Sequence, residues 1–316
     1  MRRRSATIGI AVLVLAVLAA CAPSVPTSPP PPGGTGPSAG CGTTTRGPVT
    51  EWSETVDVDG TARRYVITVP PGHVPGTAEP VPLVFDFHGL IEGMVGTHPF
   101  ATQFSATAVE EGFAVVYPVG SNDGFNWDVS LDEANPDLRF IDALRSELER
   151  TMCIDRSRVY ATGLSYGAFM TSMLMCMRPN HFAAAAPVAG IRNFCTATER
   201  SVPVLTFHGT ADWILPYPLF ASTPAEIAAK YGCTPPSDTT LSPAPDPTTR
   251  GTITRTSWDC GGVQSAVESY RIEGGGHSWP GSFFFQLVGF IVGPTATSID
   301  ATEIIWDFFE RHQLPS

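Results

Sequence analysis

Short apolar runs alternate with amphipathic stretches along most of the chain. The apolar runs stop at Gly or Pro and are nearly continuous, which is typical of strands buried on both faces of a parallel sheet. The stretches between them carry apolar residues three or four positions apart, which predicts helices with one buried face. Strands are predicted over 63–71, 82–89, 113–118, 158–163, 182–190, 202–209 and 266–277, the last with a glycine-rich loop, and helices over 100–111, 137–152, 168–177 and 300–312.

Strands that alternate with helices predict a doubly wound α/β fold, with a mostly parallel sheet and helices on both faces. Residues 41–316 are long enough for one large domain of this class. The Pro/Thr-rich stretch 237–249 is expected to form a surface excursion. No internal repeat is visible in the sequence.

The N-terminus is expected to be a targeting segment outside the fold. Three arginines precede an apolar run at residues 8–19, which predicts a signal peptide over residues 1–20. The run ends in Leu-Ala-Ala-Cys, which resembles a bacterial lipobox and makes Cys21 the candidate lipidation site. An ordinary secretory signal with an incidental cysteine is the alternative. Residues 21–40 are rich in Pro, Gly and Ser and are expected to be a linker. Lipid on Cys21 is expected to tether the chain to a membrane surface.

Charge excludes one class of partner. Loss of the leader leaves 16 of the 19 basic residues against 30 acidic ones, so the net charge changes from −11 to −14. Such an acidic chain is not expected to bind nucleic acid. No Cys-x-x-Cys or His-x-x-x-His spacing indicates a metal site, and no metal or organic cofactor is expected.

Six cysteines follow Cys21, an even number that indicates disulfides in an exported protein. Six cysteines allow 15 pairings. The pair Cys233 and Cys260 is predicted, because these residues bracket the Pro/Thr-rich loop.

A Gly-x-Ser-x-Gly motif lies between a predicted strand and a predicted helix. In the stretch "YATGLSYGAFM", Ser165 is flanked two residues away by Gly163 and Gly167. Small residues at those positions allow a tight turn that exposes a nucleophile above the sheet. The motif alone is weak in a chain with 30 glycines, but its strand–helix context supports a nucleophile elbow.

A nucleophilic serine needs a base and an acid, which follow it along the chain in α/β-hydrolases. His277 lies in a glycine-rich loop directly after a strand, whereas His312 lies on the last helix. Asp212 is the carboxylate just beyond a buried strand between Ser165 and His277. Ser165, Asp212 and His277 are therefore the candidate catalytic residues of an α/β-hydrolase fold. The backbone amides of Tyr166 and Leu90 are the candidate oxyanion hole.

Four ordered stretches, "CIDRSRVYATGLSYGAFM", "HGTADWILPY", "GGGHSWPG" and "DATEIIWDFF", carry a family resemblance. The chain resembles the polyhydroxybutyrate depolymerase and feruloyl esterase family, a carbohydrate-esterase branch of the α/β-hydrolases that includes lipoprotein esterases. This resemblance covers most of residues 41–312. It implies an exported serine esterase whose triad falls on Ser165, Asp212 and His277. It also implies that Cys153 and Cys176 occupy positions typical of the family.

Two features depart from the family or leave the substrate open. Tyrosine follows the nucleophile, whereas polyester depolymerases of the group often have asparagine at this position. A tyrosine here is closer to the pattern of feruloyl esterases. An apolar stretch at residues 282–293 stands where family members carry a more polar loop. It is interpreted either as core packing or as a hydrophobic rim for an aromatic acyl group, a polyester or lipid. Trp127, Trp213 and Trp279 are candidate substrate-binding residues, with core packing as the alternative.

The predicted function is hydrolysis of carboxylic esters, of feruloyl- or acetyl-carbohydrates or of hydroxyalkanoate polyesters, through an acyl-enzyme on Ser165. A peptidase on the same fold, an acyltransferase and a non-catalytic binding protein on the cell envelope are the alternatives. The acyl group, the alcohol and the oligomeric state do not follow from the sequence.

Overall fold

Ten strands form one sheet in a computed structural model that describes residues 34–195, 200–241, 244–261 and 266–315. The predicted signal peptide, Cys21 and most of the linker lie outside the described residues. The strands are β1 (Val49–Val58), β2 (Thr61–Val69), β3 (Val81–Phe87), β4 (Ala114–Pro118), β5 (Ile154–Leu164), β6 (Ala184–Val188), β7 (Val204–Gly209), β8 (Ser237–Thr240), β9 (Ile253–Asp259) and β10 (Ala266–Ile272).

Ten helices accompany these strands in the described part of the chain. They are α1 (Glu92–Val95), α2 (His98–Thr102), α3 (Phe104–Glu111), α4 (Ser121–Gly124), α5 (Pro136–Thr151), α6 (Tyr166–Met177), α7 (Thr223–Lys230), α8 (Phe283–Leu287), α9 (Gly289–Val292) and α10 (Ala301–Glu310). The helices α5 and α10 begin at capping side chains. Asn135 accepts hydrogen bonds from two amides at the start of α5, and Asp300 does the same for α10.

The sheet order is β1-β2-β4-β3-β5-β6-β7-β10-β9-β8. The central strands β4, β3, β5, β6, β7 and β10 are parallel, whereas β1, β2, β9 and β8 pair in antiparallel fashion at the two sides. The loops that follow β3, β5, β7 and β10 therefore meet at one edge of the sheet. This architecture is an α/β-hydrolase fold.

Helices cover both faces of the sheet. Side chains alternate between the two faces of a strand, so each central strand packs with helices on both sides. On β5, Tyr160 and Leu164 pack with α2, α3 and α10, and Val159 and Ala161 pack with α5 and α6. On β3 the same alternation puts Val84 on the α2–α3 face. Asp86, two residues later, therefore faces the same helices.

The edge strands β1 and β8, and β9 beside β8, were not predicted from the sequence. Residues of β1 mostly alternate between exposed and half-buried, β8 is exposed throughout and β9 is mostly half-buried, so none has the buried apolar run of a central strand. The apolar stretch 282–293 forms α8 and α9. Residues 36–40, assigned to the linker, contact the domain: the Ser38 amide donates to Ile154 O, and the Gly40 amide donates to Glu149 O.

Three disulfides cross-link the described part of the chain. They join Cys41 to Cys153, Cys176 to Cys195, and Cys233 to Cys260, the one pair that the sequence analysis proposed. The first closes the largest loop, with a sequence separation of 112 residues. Among the described helices, none is both long and apolar enough to cross a membrane.

Candidate active site

Ser165 lies on a strained turn between β5 and α6. Its backbone angles, φ 58° and ψ −114°, are unfavourable for a residue with a side chain. The Ser165 amide donates to Val188 O at 2.9 Å, which ties the turn to β6. A Cβ atom at Gly167 would lie 1.9 Å from Phe87 O, so glycine alone allows α6 to approach β3 this closely. The turn has the geometry of a nucleophile elbow.

His277 and Asp212 form a buried hydrogen-bonded pair at the same edge of the sheet. Nδ1 of His277 and Oδ2 of Asp212 are 2.7 Å apart. Asp212 follows β7 and His277 follows β10, which is the parallel neighbour of β7. Both residues are about 5% exposed or less, so water competes little for their contact. The pairing leaves Nε2 of His277 as the nitrogen available to exchange a proton.

Asp212 is built to remain ionised. Its Oδ1 accepts from the amides of Ile214 and Leu215, and its Oδ2 lies 3.3 Å from Nε2 of His208. Burial opposes ionisation, but hydrogen bonds from His208 and His277 outweigh it and hold the pKa of Asp212 well below its usual value. A permanent carboxylate at this position favours the tautomer of His277 with the proton on Nδ1.

The two loops that carry this pair are joined through their backbones. The Ala211 amide donates to Gly275 O at 2.8 Å, and a Cβ atom at Gly209 would lie 2.1 Å from that oxygen. The His277 amide donates to Val292 O at 2.7 Å. The apolar stretch 282–293 therefore also supports the backbone of the candidate base.

The hydroxyl of Ser165 is half-buried and forms no hydrogen bond with His277 or with other groups in the described residues. Serine–histidine hydrogen bonds in hydrolases are often long before a substrate binds and shorten in the reacting complex. The parallel order β5-β6-β7-β10 brings Ser165, Asp212 and His277 to one edge of the sheet.

The loop after β3 presents the Leu90 amide at this edge. His88 controls its direction: Nε2 accepts from the Gly120 amide at 2.9 Å, so Nδ1 carries the proton and donates to Gly89 O at 2.7 Å. Burial lowers the pKa of His88 to about 4, so the ring is neutral. In a trans peptide the C=O and N–H point in opposite directions, so fixing Gly89 O also fixes the Leu90 N–H.

The amides of Leu90 and Tyr166 have no hydrogen-bond acceptor among the described residues. Tyr166 is the first residue of α6, where backbone N–H groups have no partner within the helix. Both amides are therefore available to an oxyanion. Within the described ranges, no group of three or more His, Cys, Asp or Glu side chains is arranged to hold a metal ion.

The three tryptophans predicted to bind substrate lie in different environments. Trp127 and Trp279 are each 1% exposed; the first donates to His88 O and the second to Thr302 Oγ1. Their burial corrects the prediction that they bind substrate, because both rings and both indole N–H groups are used by the core. Trp213 is 63% exposed and lies beside Gly293, so it is available for contact with a substrate.

Four polar residues near the site were not singled out by the sequence analysis for a role there. His208 contacts Asp212, while Asp86, Glu92 and His98 lie behind the Gly89–Leu90 turn. One signal was available: Asp86 interrupts the otherwise apolar strand β3. A carboxylate in such a strand must have buried partners.

Comparisons with known proteins find esterases that are similar to this chain. The chain is 30% identical over 339 residues to the putative esterase NocK of Nocardia uniformis subsp. tsuyamanensis, covering 95% of this chain and 96% of NocK. It is 29% identical over 178 residues to feruloyl esterase C of Emericella nidulans, covering 55% of this chain and 63% of that protein. Residues 100–201 match the model of the prolyl oligopeptidase family.

Among solved structures, acetyl xylan esterase from Aspergillus awamori superposes with a TM-score of 0.58 at 20% identity, covering 76% of this chain and 99% of that one. This likeness supports the fold. The near-complete match to NocK extends the relationship to the whole chain. The chain therefore belongs to the same family as NocK, a family of carboxylic ester hydrolases with the α/β-hydrolase fold.

Proposed function

We propose that this protein hydrolyses carboxylic esters through an acyl-enzyme on Ser165. His277 takes the hydroxyl proton through Nε2 as the serine oxygen bonds to the ester carbonyl carbon. The same imidazole returns that proton to the leaving alcohol, and water then releases the acid by the reverse sequence of steps. Asp212 orients His277 and stabilises its cation.

The amides of Leu90 and Tyr166 hold the negative charge that develops on the carbonyl oxygen. Backbone donors that are already oriented need no rearrangement during the reaction, which is why such sites stabilise a transition state. His88 supplies that orientation at Leu90, and the first turn of α6 supplies it at Tyr166.

The observation that carries this proposal is the buried Asp212–His277 hydrogen bond at the sheet edge where Ser165 lies on a strained turn. Strain at a residue other than glycine is tolerated where function requires it. A purely structural role for the pair would not require a serine with a positive φ angle at the end of β5.

The proposal is tested with wild type and Ser165→Ala on feruloyl, acetyl, short-acyl and hydroxybutyrate esters. Wild type should hydrolyse at least one of them, and Ser165→Ala should lose about 10⁴-fold or more in kcat. A fluorophosphonate should label wild type but not the variant. Absence of both hydrolysis and labelling in the wild type would instead support a binding protein.

For the substrate, we propose ester-linked carbohydrates bearing feruloyl or acetyl groups. The relatives named as feruloyl and acetyl xylan esterases support this choice. Hydroxyalkanoate polyesters are the second candidate, supported by the exposed apolar residues of α8 and α9. The ester panel separates the two substrate classes, because kcat/KM should be high for the esters of one class and much lower for those of the other.

We further propose that exposed side chains of α8 and α9 form an apolar rim that contacts large acyl groups. Phe285 and Val292 are buried, whereas Phe283, Leu287, Phe290 and Ile291 are exposed, Phe290 to 85%. The segment thus packs on one side and presents apolar surface on the other. Apolar groups on that surface favour ligands that remove them from water.

The rim is tested by the double variant Leu287→Ser/Phe290→Ser, because deleting the segment would also release the backbone of His277. Activity on a feruloyl or polymeric ester should fall several-fold while activity on a short soluble ester is unchanged. Val74→Ser, which alters an exposed apolar residue after β2, serves as the control. Equal losses on both esters would remove the rim from the proposal.

Export and lipidation at Cys21 complete the proposed function. Three disulfides support an oxidising compartment. Residues 36–40 join the domain at the amino end of β5, whereas Ser165 follows its carboxyl end. Cys21→Ser should move the protein from the membrane fraction to the soluble fraction.

A peptidase is the second candidate, favoured by the match of residues 100–201 to the prolyl oligopeptidase family. That segment includes Ser165 but neither Asp212 nor His277. A chromogenic ester and the matching anilide, assayed side by side, separate the two functions. Comparable kcat/KM on the anilide would favour the peptidase.

A further inference from the structure

Three charged side chains, the buried Asp86 and His98 and the half-buried Glu92, form a row behind the turn that carries the candidate oxyanion amide. His98 lies between two carboxylates: its Nε2 is 2.8 Å from Asp86 Oδ1, and its Nδ1 is 3.0 Å from Glu92 Oε2. Thr102 donates to the second oxygen of Asp86 at 2.6 Å. Glu92 Oε2 also accepts from the Gly89 amide at 2.6 Å. The row therefore connects the sheet interior to the residue before Leu90.

The row holds a positive imidazolium. Ionised carboxylates only accept hydrogen bonds, so a ring with a carboxylate at each nitrogen must donate from both. Burial opposes this charge, but the negative charge of Asp86 and the hydrogen bonds to both carboxylates outweigh it and raise the pKa of His98 to about 10. Hydrogen bonds between charged groups are shorter and stronger than neutral ones.

Packing alone does not require this arrangement. Two carboxylates and one imidazolium in the interior cost more than apolar side chains of similar volume. Asp86 faces the α2–α3 side of the sheet, where the strand residues Val84 and Val115 are apolar. What the row adds is a charged acceptor for one specific N–H, that of Gly89.

The turn whose Gly89 amide donates this hydrogen bond is under strain. Ile91, next to Leu90, has φ 63°, an uncommon conformation for a β-branched residue. The Ile91 amide donates to Phe125 O at 2.8 Å. The peptide groups around Gly89 are thus held from two sides, by Glu92 at the N–H and by His88 at the C=O.

We propose that the row Asp86–His98–Glu92 is a positioning device that holds the Gly89–Leu90 turn with its Leu90 amide directed at the oxyanion. Glu92 and His98 are positioning residues, since neither is placed to touch the reacting ester. The inference rests on the proposed function of Ser165. It adds to that function a cause for the orientation of one oxyanion donor.

The test compares wild type, Glu92→Gln and His98→Gln on p-nitrophenyl acetate. Loss of a whole oxyanion donor lowers kcat about 10²- to 10³-fold, so a donor that is only loosened should cost about 10- to 100-fold. KM should change less than about threefold, because the ground-state ester makes little use of the donor. Affinity for a trifluoromethyl ketone, whose adduct with the serine carries an oxyanion, should fall in parallel with kcat.

The matched control is Glu54→Gln, which removes another hydrogen-bonded carboxylate, on β1, and should leave kcat unchanged. Rates are expressed per folded protein, and His98→Gln decides the comparison if Glu92→Gln does not fold. Wild-type kcat and ketone affinity in the variants, with a lowered melting temperature, would overturn the inference and assign the row a structural role. Wild type inactive on every ester would instead overturn the proposed function.

Discussion

The two halves of the candidate site are held by different means. The acid–base half, Asp212 and His277, sits on two loops whose backbones touch, and one carboxylate is shared by two histidines. The oxyanion half, the Gly89–Leu90 turn, is held by side chains from β3, α1 and α2. A base must exchange protons during each reaction cycle, whereas an oxyanion donor has only to stay in place.

Two buried histidines of the oxyanion half show how partners decide charge. The rings of His88 and His98 are 6.5 Å apart, yet His88 is neutral and His98 is charged. His88 contacts two backbone groups, which leaves burial to lower its pKa. His98 contacts two carboxylates, which reverse the effect of burial. Burial alone therefore does not predict the charge of a histidine.

The largest expected effect lies in the acid–base half. Asp212→Asn should lower kcat by about 10⁴-fold, because an amide at this position can stabilise the wrong tautomer of His277. Steady-state kinetics on a short ester checks this. Asp142→Asn, which alters an ion-paired aspartate on α5, should retain the kcat of the wild type per folded protein. A loss of less than tenfold for Asp212→Asn would show that another acid serves His277.

A smaller effect is expected from His88, and two variants divide its functions. Asn places its amide where Nδ1 stood and can still donate to Gly89 O, whereas Gln mimics Nε2 and can only replace the contact with Gly120. His88→Gln should lose about 10²-fold in kcat, and His88→Asn should lose less than about tenfold. Similar losses in both would contradict the role of Nδ1 in fixing the Leu90 amide.

The smallest expected effect concerns pH and stability. The pKa of His98 is raised to about 10 in the folded protein, from about 6.5 in the unfolded chain. Its contribution to stability is therefore complete below about pH 6.5 and is lost as pH rises toward 10. Urea unfolding of His98→Gln should show a flatter decline over this range, whereas Glu54→Gln should follow the wild type. Parallel curves for His98→Gln and wild type would show that His98 is not charged.

Much of the fold could be predicted because its central strands and helices have strong local patterns. The apolar runs became β3, β4, β5, β6, β7 and β10, and the periodic stretches became α3, α5, α6 and α10. The strands β1, β8 and β9 at the two sides of the sheet lack a buried apolar run, so their pairing depends on neighbours rather than on composition. Trp127 and Trp279 illustrate the same limit, because an aromatic residue in a loop can face either the core or a substrate.

The sequence by itself determined the fold class, the strained serine turn and the order of candidate nucleophile, acid and base. These follow from local motifs at strand ends, and parallel topology brings such ends to one edge. Only the tertiary structure decided the tautomer of His88, the charge of His98 and the second histidine on Asp212. Those properties arise from contacts between different segments, such as Gly120 with His88, and electrostatic energy depends on distance in space rather than on separation along the chain.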